Sequence, residues 1–220
     1  MWFPDVMRSP CALGFCVIVL CLSASNGFAE TATLDSVDVQ DLGDRLVATR
    51  DRTSPSQIPL EAKEKVQWIG AKGAVGIALT DRRLLAISET SSGWQQIRLK
   101  SEDGAPSEVA LGANIALLVT KKRILGFDGR SGLITEERLH IREAVVSSGL
   151  NELIGVVATN QRVIGFAAGH ALPVERRFQL HEAFETLRVL DTTATVRTSR
   201  RILVFQSSTG SWRDEDIRFN

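Results

Sequence analysis

The sequence predicts an all-β protein assembled from repeated four-stranded units, and three observations lead there. One phrase (Thr, two polar residues, Arg, then an apolar strand) occurs four times, starting at Thr80, Thr120, Thr159 and Thr198. Its copies are almost evenly spaced, at intervals of 40, 39 and 39 residues. Around each copy lie short apolar runs divided by turn residues, the pattern of successive strands rather than helices. A period near 40 residues marks a repeat architecture in which each unit buries its apolar face against the next.

Within one unit the strands can be placed in order. In the second copy, Glu108 to Gly112 is the first strand and Ile115 to Thr120 the second. The pair Lys121-Lys122 turns the chain into a third strand from Arg123 to Asp128, and Gly132 opens the loop to a fourth, Ile134 to Leu139. The same plan fits Val66 to Leu99, Ala144 to Leu180 and Leu187 to Phe219. Second and third strands are near-continuous apolar runs, which suit strands covered on both faces. Fourth strands, such as Val174 to Phe178, are charged and alternating, as wetted outer edges are. Buried inner strands, polar outer strands and this period together predict a small β-propeller of four to five four-stranded blades.

Clear repeats begin at about residue 64. Upstream, a worn N-terminal blade is expected over about residues 36–63, with Thr49 and Arg52 in phase with the phrase. Its third strand is reduced to Thr53-Ser54-Pro55-Ser56, and Pro59, which lacks a ladder donor, interrupts the fourth. The competing reading is an amphipathic helix around Asp41 to Thr49 using Leu42, Leu46 and Val47.

Residues 1–29 are expected to be a secretory signal peptide, leaving 30–220 as the propeller domain. A short leader carrying Arg8 precedes an apolar run from Cys11 to Leu22, and Gly27-Phe28-Ala29 supplies small residues for cleavage after Ala29. The run is shorter than the roughly 20 residues that span a bilayer as a helix, so cleavage is favoured over an uncleaved anchor. All three cysteines, Cys11, Cys16 and Cys21, lie in this leader, so the mature chain is expected to hold no disulfide. Cys21 follows Leu20, where lipoprotein signals resemble one another in having a small residue. The expected localisation is extracytoplasmic, periplasmic or secreted, with no membrane span in the mature chain.

The whole chain carries 26 basic and 26 acidic residues. Without a net positive field, nucleic acid is an improbable partner. No basic run is long enough to hold an anionic membrane surface.

The stretch from Ala116 to Leu139, with L-L-V-T-K-K-R-I-L-G-F-D-G-R-S-G, resembles the quinoprotein-type (PQQ-like) propeller repeat, where a strand pair ends in Asp before a turn and Gly. Asp128 fills that place once; Ser88, Ala167 and Gln206 stand there in the other copies. Gly93, Gly132, Gly169 and Gly210 keep the turn, and Trp94 and Trp212 stand where that family's blade-docking Trp lies. The resemblance covers roughly residues 64–220 and implies architecture only. Related envelope propellers that scaffold membrane-protein assembly are nearer in kind than the larger quinone enzymes. The phrase also resembles a hairpin of bacterial pleckstrin-homology-like domains, but those use it once and finish with a helix.

Candidate catalysts are scarce. His140, His170 and His181 show no metal-type spacing, and no nucleophile elbow, phosphate loop or calcium loop is present. The strongest candidate set is Arg83, Arg123, Arg162 and Arg201, with Arg52 as a conditional fifth. Identical phase should place them as a ring on one face, reinforced by Arg82, Lys121, Lys122 and Arg200 in the turns. Arginine offers a rigid fork of donors for carboxylate or phosphate. The alternative, which the sequence favours, is that each arginine braces neighbouring blades. The function expected is an exported, non-enzymatic protein-binding or scaffold module, monomeric, without cofactor or metal. Its partner would be another envelope or extracellular protein. An enzyme acting on a glycan or quinone-linked substrate, or a multivalent lectin, is the alternative.

Overall fold

The computed structural model describes residues 35–51 and 53–216. The signal segment, its cleavage site, the three cysteines and Arg52 lie outside the described residues. The chain forms five consecutive antiparallel meanders, here called blades 1 to 5. Blade 1 has three strands, β1 (Val37–Asp41), β2 (Arg45–Arg50) and β3 (Thr53–Pro59). Blade 2 has β4 (Val66–Lys72), β5 (Val75–Thr80), β6 (Arg83–Ser88) and β7 (Gln95–Arg98). Blade 3 follows with β8 (Glu108–Leu111), β9 (Ile115–Val119), β10 (Arg123–Asp128) and β11 (Leu133–Arg138). Blade 4 holds β12 (Val145–Leu150), β13 (Ile154–Thr159), β14 (Arg162–Ala167) and β15 (Val174–Arg177). Blade 5 holds β16 (Phe184–Val189), β17 (Thr193–Thr198), β18 (Arg201–Gln206) and β19 (Ser211–Asp216). Strands of like rank in successive blades lie side by side, as in a propeller.

The segment that admitted a helical reading, Asp41 to Thr49, is strand and turn. Its phase, however, differs from the expected one. The amide of Leu60 bonds the carbonyl of Asp44, as Leu99 bonds Arg82, Leu139 bonds Lys122 and Phe178 bonds Gln161. Val37 pairs with Arg50 as Val75 pairs with Ser88. The counterpart of the phrase in blade 1 is therefore Leu42-Gly43-Asp44-Arg45, and Arg45, rather than Arg52, holds the position of Arg83. The strands of blade 1 correspond to second, third and fourth strands, and Pro59 closes its outer strand instead of breaking it. That place tolerates proline because one edge of an outer strand faces away from the ladder. The first, innermost strand of this blade has no counterpart among the described residues.

Blade-to-blade packing repeats one fit. Phe127 in blade 3 packs with Ala86 of blade 2 in one buried cluster. In the next two interfaces the small residue is glycine. A Cβ on Gly126 would lie 2.5 Å from the ring of Phe166, and one on Gly165 would lie 2.6 Å from that of Phe205. Glycine is required here for close approach between sheets, not for backbone freedom. Both faces of the central strands in blades 2 to 4 are buried as a result. Leu125 is fully buried and Phe166 is 4% exposed. Leu125→Ala and Phe166→Ala should each cost about 2–5 kcal/mol, the range for emptying a packed core site. Urea midpoints checked against the parent would show it, and unchanged midpoints would contradict the packing.

The end blades differ. The face that blade 4 turns toward blade 5 carries Ile154, Val156, Ala158 and Val163, all buried. The corresponding face of blade 5 carries Thr193, Thr195, Arg197 and Ile202, none of them buried. At the other end, Leu46 and Ala48 of blade 1 pack on blade 2, whereas Asp38, Gln40, Arg45 and Thr49 on its opposite face are exposed. Each end blade thus has one packed face and one polar face at the surface, the way repeat arrays are capped. The apolar run Ile202 to Phe205 consequently alternates between buried and half-buried residues, where its counterparts are buried throughout.

Candidate functional site

All second-to-third-strand turns and all links between blades lie at one end of the sheets. Their amides and carbonyls tie them together: Asp81 to Lys65, Lys121 to Asp103, Asn160 to Ala144 and Ser199 to Ala183. The four phrase arginines begin the third strands at this end, but their heads point inward. Their side chains are only 2–7% exposed. Each one meets an acid supplied by the preceding link: Glu64, Asp103, Glu143 and Glu182.

In blade 2, Arg83 donates from Nε and Nη2 to the two carboxylate oxygens of Glu64, both at 2.8 Å. Nη2 also reaches the carbonyl of Pro59 at 2.7 Å, at the end of the previous blade's outer strand. Nη1 reaches Gln96 at 2.5 Å, on the outer strand of its own blade. Thr80 accepts from the amides of Arg82 and Arg83 and donates to Glu64 at 2.6 Å. Glu64 takes a further hydrogen bond at 2.7 Å from the amide of Glu61, closing the link on itself.

The node recurs three times with small variations. Arg123 holds Asp103 at 3.0 and 2.7 Å, Arg162 holds Glu143 at 2.8 and 3.2 Å, and Arg201 holds Glu182 at 2.9 and 3.0 Å. Their Nη2 atoms bond the carbonyls of Arg98, Arg138 and Arg177, each ending the previous outer strand. Their Nη1 atoms bond Glu136, Glu175 and Asp214 on the outer strand of their own blade. Asp103 is one carbon shorter than glutamate, and Thr120 lies 3.4 Å from it, against 2.6–2.8 Å for the threonine–glutamate contact in the other three nodes. Burial alone would push these carboxyls up. The paired guanidinium, the link amide and the threonine hydroxyl more than offset that, holding Glu64 down to about 2 and Asp103, Glu143 and Glu182 below the usual carboxylate range.

Arg45 has no link acid among the described residues. It faces Gln57, the counterpart of Gln96, at 3.4 Å, pairs with neighbouring Asp44 at 2.7 Å, and stays exposed. The acids were the residues that sequence reasoning missed. Their signal is nonetheless periodic, an acid 16 or 17 residues ahead of each phrase threonine.

What this end presents to solvent is the turns and link tips above the nodes. Three open grooves lie between successive links. The first, about 510 Å3, runs beside Asp81, Arg82, Arg98 and Lys100. The second, about 500 Å3, runs beside Lys121, Lys122 and Arg142. The third, about 490 Å3, runs beside Asn160, Gln161, Arg177 and His181. Ala105 borders the first two grooves and His140 the last two, so the three adjoin in a row, here called the trough. Ile141, 90% exposed, stands on the link between the second and third grooves, and Leu180, 79% exposed, lines the third from the corresponding position of the next link. Arg82 and Arg98 share Glu61, and Lys100 lies 3.9 Å from Glu102. Among the described residues Lys121, Lys122, Arg142 and Arg200 have no acidic partner.

His140 and His181, unrelated in the repeat, thus border one groove, while His170 lies at the opposite end, its Nε2 3.1 Å from the Ser207 carbonyl. The docking tryptophans are in place: Trp94 and Trp212 donate to the carbonyls of Ser56 and Val174, on the outer strand of the blade before, at 3.2 and 2.8 Å. Asp128 accepts from the amides of Arg130 and Ser131 in its own turn and of Gly169 in the next blade. Among the described residues no cluster of three or more metal-ligating side chains occurs, and no helix is long and apolar enough to cross a membrane.

No known family profile and no curated protein matches the chain. Among the solved structures to which the chain is similar are the following three. The N-terminal domain of Nup159 matches at 12% identity and a TM-score of 0.35, over 83% of this chain and 58% of that one. Prp20p from Saccharomyces cerevisiae matches at 8% and 0.38, over 74% and 54%. Hsv2p from Kluyveromyces lactis matches at 11% and 0.38, over 81% and 60%. The chain spans less than two thirds of the length of each. The fold assignment stands on the blades themselves.

Proposed function

We propose that this chain is an exported, non-enzymatic protein-binding module of the cell envelope, and that the turn-and-link end of its blades is the contact surface. The observation carrying this reading is the pair Ile141 and Leu180, held out from links that buried ion pairs fix in place. These are the two most exposed large apolar side chains among the described residues, and loops on a rigid framework are where binding residues concentrate. The three grooves share a position but differ in lining, which favours one extended partner over several copies of a small ligand. The phrase arginines supply the scaffold, and the turn cations above them supply the surface. The leader's layout supports export, with the mature chain starting at Glu30 and acting as a monomer outside the cytoplasm.

Two measurements test the reading. Intact-mass spectrometry of exported material should give a chain lacking residues 1–29; retained Met1 would count against export by cleavage. A photo-crosslinking amino acid at Ile141 should capture a defined envelope protein in the native cell. The same group at Leu133, which is exposed at the opposite end of the sheets, should not. Equal capture at both positions would sink the assignment of the surface.

A further inference from the structure

The chemistry of the central groove identifies what kind of partner segment fits it. Lys121, Lys122 and Arg142 face this groove, and the one carboxylate among its lining residues, Glu143, is turned inward to Arg162 at 2.8 Å. The groove therefore carries three cations with no acid left to neutralise them, although the chain as a whole is balanced at 26 basic and 26 acidic residues. The compensating acids lie elsewhere: in the buried nodes, on outer strands such as Asp214-Glu215, and on blade 1 at Asp38, Asp41 and Asp44. Ile141 stands between two cation-bearing or histidine-bearing positions, His140 and Arg142, and Leu180 rises from the next link beside His181.

We propose that the partner docks an extended acidic segment carrying apolar side chains along this trough. Its carboxylates would lie on Lys121, Lys122 and Arg142, and its apolar side chains against Ile141 and Leu180. This rests on the reading of the turn-and-link end as a protein-contact surface. Charge complementarity gives the segment its placement and association rate, and the two apolar tips supply the desolvated contact that slows its release. The buried nodes beneath add no free cation to it, since each arginine is matched by its own acids.

The test uses the full exported chain and a labelled synthetic peptide of alternating glutamate and leucine, compared with one of alternating serine and leucine. The glutamate peptide should bind saturably, more weakly as salt rises. Lys121→Glu with Lys122→Glu should weaken it at least about tenfold, by setting like charges opposite one another. Ile141→Ser with Leu180→Ser should weaken both peptides. All four positions are exposed, so urea midpoints should stay at the parent value. Equal binding of the serine peptide, indifferent to charge reversal, would overturn the acidic partner while leaving the contact surface standing. Absence of saturable binding by either peptide would also overturn it, and crosslinking from Ile141 would then decide the surface separately. Tighter binding of vesicles containing phosphatidylglycerol through the same residues would replace the acidic segment with a membrane.

Discussion

Replacing Arg162 with alanine is expected to destabilise the protein by about 3–5 kcal/mol, the cost of stripping one partner from a buried ion pair. The guanidinium is 2% exposed and Glu143 is fully enclosed. Its loss leaves a buried carboxylate facing an empty site, and frees Glu137, Glu175 and the carbonyl of Arg138 as well. Three elements come apart together: the link, the end of the preceding outer strand, and the outer strand of blade 4. Two comparisons separate this from a general sensitivity of arginine. Arg45→Ala, at the same phase but exposed, should stay within about 0.5 kcal/mol, as surface changes do. Arg162→Met combined with Glu143→Met should recover most of the loss, because apolar side chains of similar volume often replace a buried pair without penalty. Urea midpoints of the three variants are the measurement. A parent-like midpoint for Arg162→Ala would show that the node is dispensable.

The second large effect is loss of stability in acid. Glu64 titrates at about 2 in the folded protein against an ordinary value of 4.5, and Asp103, Glu143 and Glu182 are shifted in the same direction. The unfolded chain therefore binds protons more readily than the folded one, so stability rises with pH across this window. The contribution is fully present above about pH 4.5 and drains away as pH falls through the folded values toward 2. Because four nodes act in parallel, the urea midpoint should drop steeply over that interval. Glu64→Gln should lower stability at neutral pH and make the acid slope shallower, since one of the four sites no longer titrates. A slope identical to the parent's would place the acid sensitivity elsewhere.

Much of the architecture was legible because the repeat writes the same physics several times. The strands of blade 3 fall within a residue of their expected limits, since Lys121-Lys122 and Gly132 are turns at fixed offsets. Trp94 and Trp212 also reach the outer strand of the preceding blade, as the resemblance implied. Blade 1 was misphased because Thr49-x-x-Arg52 mimics the phrase, while its true counterpart begins with Leu42, where no hydroxyl marks the turn. Hydrogen bonds to the next link, not residue identity, set the phase. The arginines were found and their acids were not, because 16 or 17 residues separate Glu64 from Thr80 and Asp103 from Thr120, and only folding brings them together. Ala86, Gly126 and Gly165 leave room for the next blade's large side chain, and Val204 at the same place does not.

The two polar end faces also determine how the molecule comes apart. In a closed ring every blade is held by two neighbours, and removing any one breaks two interfaces. In this stack a terminal blade is held by one, and among the described residues no hydrogen bond clasps blade 1 to blade 5. Stability becomes a sum over nearest neighbours, with the lowest rung at either end and the highest at blade 3. Opening should therefore run from the ends inward, as a zipper does, and the trough above Lys121 and Arg142 lies over the last part to yield.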